Sequence, residues 1–310
     1  MTAIPVLIDC DPGHDDAIAL LLALASPELE VLGVTTVAGN QTLEKTTANA
    51  IRVLEFVERG DVPVAAGADR PLVRDPFVAA HVHGETGLDG PELPPPRATP
   101  VSEHAVDFLA SRLMEAASPV TLVPLGPLTN IALLLARYPG AVASVERVVL
   151  MGGSIGVGNV TPAAEFNIWA DPEAAARVLD SGLDVTMVGL DVTHRALLMS
   201  DDAERLRAAG RVGRMVAELY DFFHRYHELT YGFGGSPIHD ALAVAHVIRP
   251  ELLHTEHRHI AIECGSELTR GRTVVDLWKR TGIEPNAHAA VEVDAEAFIR
   301  LLLERLSSFG

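Results

Sequence analysis

Apolar and polar positions along this chain follow two rhythms. Short, almost unbroken apolar runs, "IPVLID", "LEVLGVTTVAG", "VPVAAG", "PVTLVPLG", "VERVVLMGG" and "LDVTMVGLD", read as buried strands. Between them the apolar positions recur at helical spacing, in "DDAIALLLALAS", in "TLEKTTANAIRVLEFVERG" up to Gly60, in "SEHAVDFLASRLMEA" opened by Ser102, and in "LTNIALLLARYP". "DPEAAARVLDSG" adds a helix with Pro172 in its first turn. Near-continuous Val/Ile/Leu strands separated by helices predict an α/β fold with a mostly parallel, Rossmann-like open sheet covered by helices on both faces. After Asp191, the end of the last clear strand, the rhythm changes. "RVGRMVAELYDFFHRYHELTYGF" predicts a long helix, "SPIHDALAVAHVI" a shorter one and "DAEAFIRLLLERL" a closing one, while 254–293 read as a β-hairpin or short strands. This part is expected as a C-terminal helical and hairpin elaboration. No linker, repeat or low-complexity tract divides the chain, so residues 1–310 are expected to form a single domain. The irregular stretch that runs to about Pro100 ends in "PELPPPRATP", read as a stiff surface loop.

At 48% hydrophobic residues, the 310-residue chain has enough apolar side chain for a sizeable core. Its net charge of −18 and lack of a basic patch argue against a nucleic-acid polymer as partner. The two cysteines, Cys10 and Cys264, form no disulfide framework or CxxC metal site. The N-terminus enters a strand without the basic and small-residue features of a signal peptide, and no apolar run approaches a membrane span. A cytoplasmic protein is expected.

The chemistry gathers at the carboxyl ends of the strands, where ligands of such sheets bind. "VLIDCDPGHDDAIALLLAL" sets Asp9, Asp11, Asp15 and Asp16 directly behind the first strand. A carboxylate at a helix N-terminus gains typically ~0.3–1 kcal/mol from the helix dipole. A like-charge pair about 4 Å apart costs roughly 4 kcal/mol at an effective dielectric near 20. Converging carboxylates are therefore either partly protonated or gathered around a hard cation, Ca²⁺ or Mg²⁺. The plainer reading, Asp15 as a cap and Asp16 as a solvated acid, leaves the crowding unexplained. The spacing lacks the central Gly and closing Glu of an EF-hand. A phosphatase with Asp9 as nucleophile stays open. "HVHGETGLDG" is either a mobile lid over the sheet edge or an ordinary loop, and Glu165 and Asn167 in "AEFNIWADPEAA" either face sugar hydroxyls or cap a helix. His239-Asp240 opens an apolar helix, as a cap or as part of a site.

Taken with "VTTVAGNQTLEKTTANA", "LVPLGPLTNIAL", "VVLMGGS" and "TMVGLDVTH", these segments resemble the nucleoside hydrolases of the inosine–uridine-preferring type over nearly the whole chain. The resemblance implies one Ca²⁺ held by Asp11, Asp16, Asp240 and the Leu125 carbonyl, where relatives often have Thr. It implies ribose contacts from Asp15, Asn40, Asn159, Glu165 and Asn167, with Met151 beneath the sugar and Asp9 orienting the ligands. The implied reaction is hydrolysis of the N-glycosidic bond of a small-molecule ribonucleoside with inversion. Asp11 would be the base, His239 the acid that protonates the leaving nucleobase, and His83 a supporting group in the lid. Relatives are commonly homodimers or homotetramers.

The chain departs from its relatives at the base end. Phe223 and His227, with Tyr226 and Tyr231 nearby, stand where tyrosines often occur, and neither Trp169 nor Trp278 falls where purine-specific relatives sandwich the base. His227 is either a proton donor to the base or a solvated helix residue. A competing reading keeps the fold but not the turnover, as a nucleoside- or ribose-binding protein.

Overall fold

The computed structural model describes residues 3–309. Its strands are β1 (Ile4–Cys10), β2 (Leu29–Thr36), β3 (Val64–Ala66), β4 (Val120–Pro124), β5 (Val145–Met151), β6 (Val185–Val188), β7 (Leu197–Met199), β8 (Gly235–Pro237), β9 (Leu253–Arg258), β10 (Ile260–Ile262), β11 (Thr273–Val275) and β12 (Ala287–Val293). The helices of the first half are α1 (His14–Leu24), α2 (Leu43–Phe56), α3 (Ala80–His83), α4 (Ala105–Glu115), α5 (Thr129–Arg137), α6 (Phe166–Ala170) and α7 (Pro172–Leu179). The second half adds α8 (Leu190–Thr193), α9 (Ser200–Ala208), α10 (Arg211–Tyr231), α11 (His239–Ile248) and α12 (Ala295–Ser307).

Eight strands form the central sheet in the order β3-β2-β1-β4-β5-β6-β12-β9. The pairs from β3 through to β12 are parallel, and only β9 runs antiparallel, along β12. One apolar cluster, containing α1, α10, α11 and α12, packs on one face. The other, containing α4, α5 and α7, covers the opposite face. The order turns around between β1 and β4, so the loops after these two strands diverge and leave a crevice at their carboxyl ends.

The sheet outruns the sequence expectation. β6 is not its last strand, because β12 pairs in parallel beside it. Within 254–293 only β10 and β11 make the small antiparallel pair, whereas β9 and β12 extend the main sheet. The polar residues of "LHTEHR" and "AHAAVEV" hid them: β9 is an antiparallel edge, which tolerates a solvated face, and β12 beside it is only partly buried. Three helix ends also shift. α4 starts at Ala105 with His104, not Ser102, accepting the Val106 N–H. α2 stops at Phe56, short of Gly60. α1 starts at His14, capped by Gly13. The stretch before Pro100 contains α3.

α1 is the helix on which the site stands. Its residues from His14 to Ala23 are all buried, which explains why its apolar pattern runs all round rather than along one stripe. Removing a large side chain there leaves a void that close-packed neighbours fill only partly. Leu21→Ala is expected to lower the unfolding free energy by about 2–5 kcal/mol, read from the denaturant midpoint at unchanged slope.

Candidate functional site

The crevice holds a cleft of about 680 Å³. Asp15 and Asn40 lie on its wall together with Leu125, Met151 and Asn159. Glu165, Asn167, His83, His227, His239 and Asp240 complete the set of expected residues that line it. Asp11 and Asp16 are fully buried and do not line the cleft. The fold therefore collects residues from α1 to α11, more than two hundred positions apart in sequence, in one place.

The turn between β1 and α1 is built by Asp16. Its carboxylate accepts the backbone N–H groups of Asp11 (3.1 Å) and Gly13 (2.9 Å) and the Asn40 amide (3.0 Å). Asp11 is gripped from the neighbouring loop, where the Asn40 N–H donates to its Oδ2 at 2.6 Å. Gly39 and Gly126 make room for that carboxylate, because a Cβ on either would stand 2.1 Å from Oδ2 or 2.4 Å from Oδ1. Asp11 Oδ1 is buried and has no partner among the described residues. Asp15, Asp16 and Asp240 each bring a carboxylate oxygen to within 4.8 Å of the other two. Asp15, expected as a sugar ligand, thus belongs to the convergent trio, and Asp11 stands beside it. The Leu125 carbonyl accepts the Asn167 amide at 2.6 Å.

Burial pushes all four carboxyl groups above their usual range, and mutual repulsion adds to it for Asp11, Asp15 and Asp240. An all-oxygen, buried, anionic donor set with an orphaned carboxylate oxygen fits a hard divalent cation. A phosphate cradle fits poorly, since neither Lys nor Arg lines the cleft among the described residues. Asp9 is no nucleophile, as it lies outside the cleft and is held by Thr35 (2.5 Å) and Asn130 (2.8 Å). Burial raises its pKa to about 7.

Glu165 is both cap and cleft residue. It accepts the N–H groups of Gly153, Asn167 and Ile168 at the start of α6, and burial lifts its pKa to about 7. Asn159 holds α6 in register by accepting the Phe166 N–H. Asn167 donates to the Met151 carbonyl at 3.1 Å. The loop after α3 is tied down rather than free. Gln41, just before α2, and Lys45 and Asn49 on it donate to the successive carbonyls of Gly84, Glu85 and Thr86. Asn49 also reaches the Pro12 carbonyl at 3.1 Å, so lid and acidic turn share an anchor.

Five histidines, His81, His83, His194, His227 and His239, line the cleft. His227 is only 3% exposed, which rules out the solvated reading. Its Nδ1 meets the Phe223 carbonyl at 3.0 Å and burial pushes its pKa down to about 4. A neutral ring that spends its one N–H on a carbonyl presents Nε2 as an acceptor. His239 Nδ1 lies 2.7 Å from Thr193 Oγ1. Sequence reasoning assigned no role to His14, Thr193 or His194, although all three lie in stretches quoted for the resemblance. A buried histidine has no signature until its partners are known.

The sequence model of the inosine-uridine preferring nucleoside hydrolases matches residues 6–300. The chain belongs to this family. A pyrimidine-specific ribonucleoside hydrolase, RihA, of Salmonella agona (strain SL483) is 52% identical over 310 residues, covering 99% of this chain and 100% of that protein. A purine-preferring ribonucleoside hydrolase from Gardnerella vaginalis superposes with a TM-score of 0.93 at 33% identity, covering 98% of each chain. The plant nucleoside hydrolase PpNRh1 gives 0.93 at 33% identity, covering 99% of this chain and 100% of its own. The nucleoside hydrolase fold is thus complete here, and the protein is an N-glycosidase of the ribonucleoside hydrolase class. None of its described helices is long and apolar enough to cross a membrane.

A carboxyl group whose folded pKa is raised stabilises the fold fully below its unfolded pKa, and that contribution is lost as pH rises through the folded value. The chelated protein should therefore be weakened by its acidic cluster at pH 8 relative to pH 5, and a bound divalent cation should remove the penalty. The gain in Tm on replacing chelator by cation is expected to be larger at pH 8, measured by scanning calorimetry at both pH values. A cation in hundredfold excess over its Kd contributes about 2.7 kcal/mol.

Proposed function

We propose that the protein hydrolyses the N-glycosidic bond of pyrimidine ribonucleosides with the help of Ca²⁺, releasing ribose and the free base. The observation that carries this reading is the convergence of Asp15 and Asp240, which line the cleft, with the buried Asp16 and the partnerless Oδ1 of Asp11 behind them, in a cleft that is otherwise aromatic and histidine-rich. When bound, Ca²⁺ neutralises the cluster, acidifies water and attracts the vicinal hydroxyls of ribose. The donors that would hold it are Asp11, Asp16, Asp240 and the Leu125 carbonyl, with Asp15 close by.

The chain's own residues divide the work. Asn40, Asn159, Glu165 and Asn167 hold the sugar over Met151, fixing C1′ against the attacking water. Asp11 Oδ1 takes the proton of that water, and its raised proton affinity suits a base. As the C1′–N bond lengthens, the surrounding carboxylates stabilise the positive charge that develops on the sugar. The leaving base takes a proton from His239. His239 gives this proton as the imidazolium: Nδ1–H donates to Thr193 Oγ1, the second proton sits on Nε2, and the transfer leaves the ring neutral. His227, neutral and with its Nδ1–H engaged, holds the base by accepting one of its N–H groups rather than by protonating it. Phe223, Tyr226 and Tyr231 supply flat apolar surface for the ring. Retention of Asp11 and His239 argues against a protein that binds nucleosides without turnover. The pyrimidine preference rests on the relatives that share about half of the residues.

A hydrolysis panel of uridine, cytidine, inosine and adenosine, with and without chelator, tests the reading. Uridine and cytidine are expected to turn over fastest and to lose activity on chelation until Ca²⁺ is returned; base release from none of the four would overturn it. Asp11→Ala is expected to lower kcat by about 10²–10⁴-fold. His239→Ala should cut uridine turnover to a similar degree but that of a nitrophenyl riboside, whose leaving group needs no proton, by less than about tenfold. Equal losses on both substrates would remove His239 as the acid.

A further inference from the structure

The reaction above leaves the small β10–β11 pair without a task. The pair is fixed to the molecule, since Ile260 is fully buried in the core cluster of α4, α5 and α7 and Val275 packs against that cluster. The chain enters β11 through "RGRT", Arg270 to Thr273, with Thr273 the first residue of the strand.

Two neighbouring segments carry amide side chains to the cleft: the loop between β5 and α6, with Asn159, and α6 itself, with Asn167. "RGRT" touches both. Gly271 lies against α6, where a Cβ would come within 2.6 Å of the Trp169 Cα, and its φ of +77° is open to glycine without steric penalty. The Arg270 guanidinium stands over the Trp169 ring, 4.8 Å from its centre. The next two residues turn to the loop. Arg272 donates to the carbonyls of Gly156 (2.6 Å) and Ile155 (2.8 Å) and, more distantly, Ala163 (3.5 Å). Thr273 Oγ1 accepts the Ser154 N–H at 2.8 Å and donates to the Ser154 carbonyl.

We propose that this segment braces the sugar end of the cleft, with Arg272 a positioning residue that fixes the loop carrying Asn159.

Loop peptide groups that lack a ladder or helix partner must find one elsewhere in the protein or in water. From Gly153 to Gly156 every N–H and every C=O has a partner within the protein. Gly153 donates to Glu165 and accepts the Leu190 N–H. Ser154 gives both groups to Thr273. Ile155 and Gly156 donate to the two carboxylate oxygens of Asp191 in α8, at 2.6 and 2.9 Å, and both accept from Arg272. A carboxylate thus grips the N–H side of this dipeptide and a guanidinium its C=O side, which fixes both peptide planes. Such charge-assisted bonds are roughly twice as strong as neutral ones. Gly156 and Val157 are exposed, so apolar packing does little to hold the turn.

The loop then returns on itself. The Asn159 N–H donates to the Ala164 carbonyl at 3.1 Å, and Asn159 Oδ1 accepts the Phe166 N–H at 2.9 Å. With Oδ1 engaged, the amide N–H₂ is the part of Asn159 left for a ligand. Because its carbonyls lie on both arms, at Gly156 and Ala163, Arg272 ties the loop together across its base. Arg272 does not itself line the cleft, so it acts on a nucleoside only through what it holds.

The kinetic consequence rests on the hydrolase reading, whereas the brace can be tested without turnover. Full-length protein with Ca²⁺ present is compared with Arg272→Ala by hydrogen–deuterium exchange. Faster exchange over 153–163 is expected, and unchanged exchange there would overturn the proposal. Uridine hydrolysis is then followed in a double-mutant cycle of Arg272→Ala and Asn159→Ala. Each single change is expected to lower kcat/KM by about ten- to hundredfold, the loss that follows a misplaced substrate-positioning group. Because Arg272 acts through Asn159, the double variant should fall no more than about twofold below the slower single one. Losses that multiply, as a residue serving only the stability of the fold would give, would overturn the proposal. A wild type that releases no base from any nucleoside fails the hydrolase reading instead, and the exchange measurement then decides the brace alone. Should Arg272→Ala fail to fold, Arg272→Gln, which removes the charge and keeps one N–H₂ group, replaces it in both measurements.

Discussion

Everything in this molecule turns on keeping several carboxylates buried together at the start of a buried helix. Asp11, Asp15, Asp16 and Asp240 have at most 6% of their surface exposed. The dipole of α1 and a handful of N–H donors offset part of their repulsion, each charge-assisted hydrogen bond being worth about 1.5–3 kcal/mol. The remainder is available to a cation. The same crowding that destabilises the fold makes the site a strong receptor for positive charge, whether that charge belongs to an ion or develops on the sugar as the glycosidic bond breaks. The glycines at 39 and 126 are there to let this happen, since any side chain would displace Asp11.

A second constraint acts on the histidines. Burial pushes His14, His83, His227 and His239 below the usual range, so each rests near neutrality as an uncharged ring with one donor and one acceptor nitrogen. Which nitrogen of a resting ring carries the proton depends on the partner on its far side, a carbonyl for His227 and a hydroxyl for His239. In a charged ring both nitrogens would donate, and the distinctions between these residues would vanish.

Much of this architecture was legible in the chain before any coordinates. β4 and β6 are buried throughout and β1, β2 and β5 over their carboxyl-terminal parts, which gives their apolar runs, and the motifs at their carboxyl ends mark one cleft. β9 and β12 were not legible as sheet strands, because their residues alternate with charges and histidines and their pairing is settled by partners far along the chain. The carboxylates announced themselves by density. The histidine partners did not: His14 and His83 are 69 positions apart, and only the fold brings their rings together.

The base end is where sequence and mechanism part company. A histidine at position 227 reads equally well as proton donor or as surface residue when only its neighbours on α10 are known. Its seat in the cleft removes the second reading, and the Phe223 carbonyl one turn back removes the first, because it takes the only proton a neutral ring carries. His239 has a different partner: a hydroxyl both donates and accepts, so Thr193 allows the ring to carry a proton on its cleft-side nitrogen. Between two buried histidines 6.1 Å apart, the difference in proton placement thus lies in the backbone oxygen behind one and the side-chain oxygen behind the other.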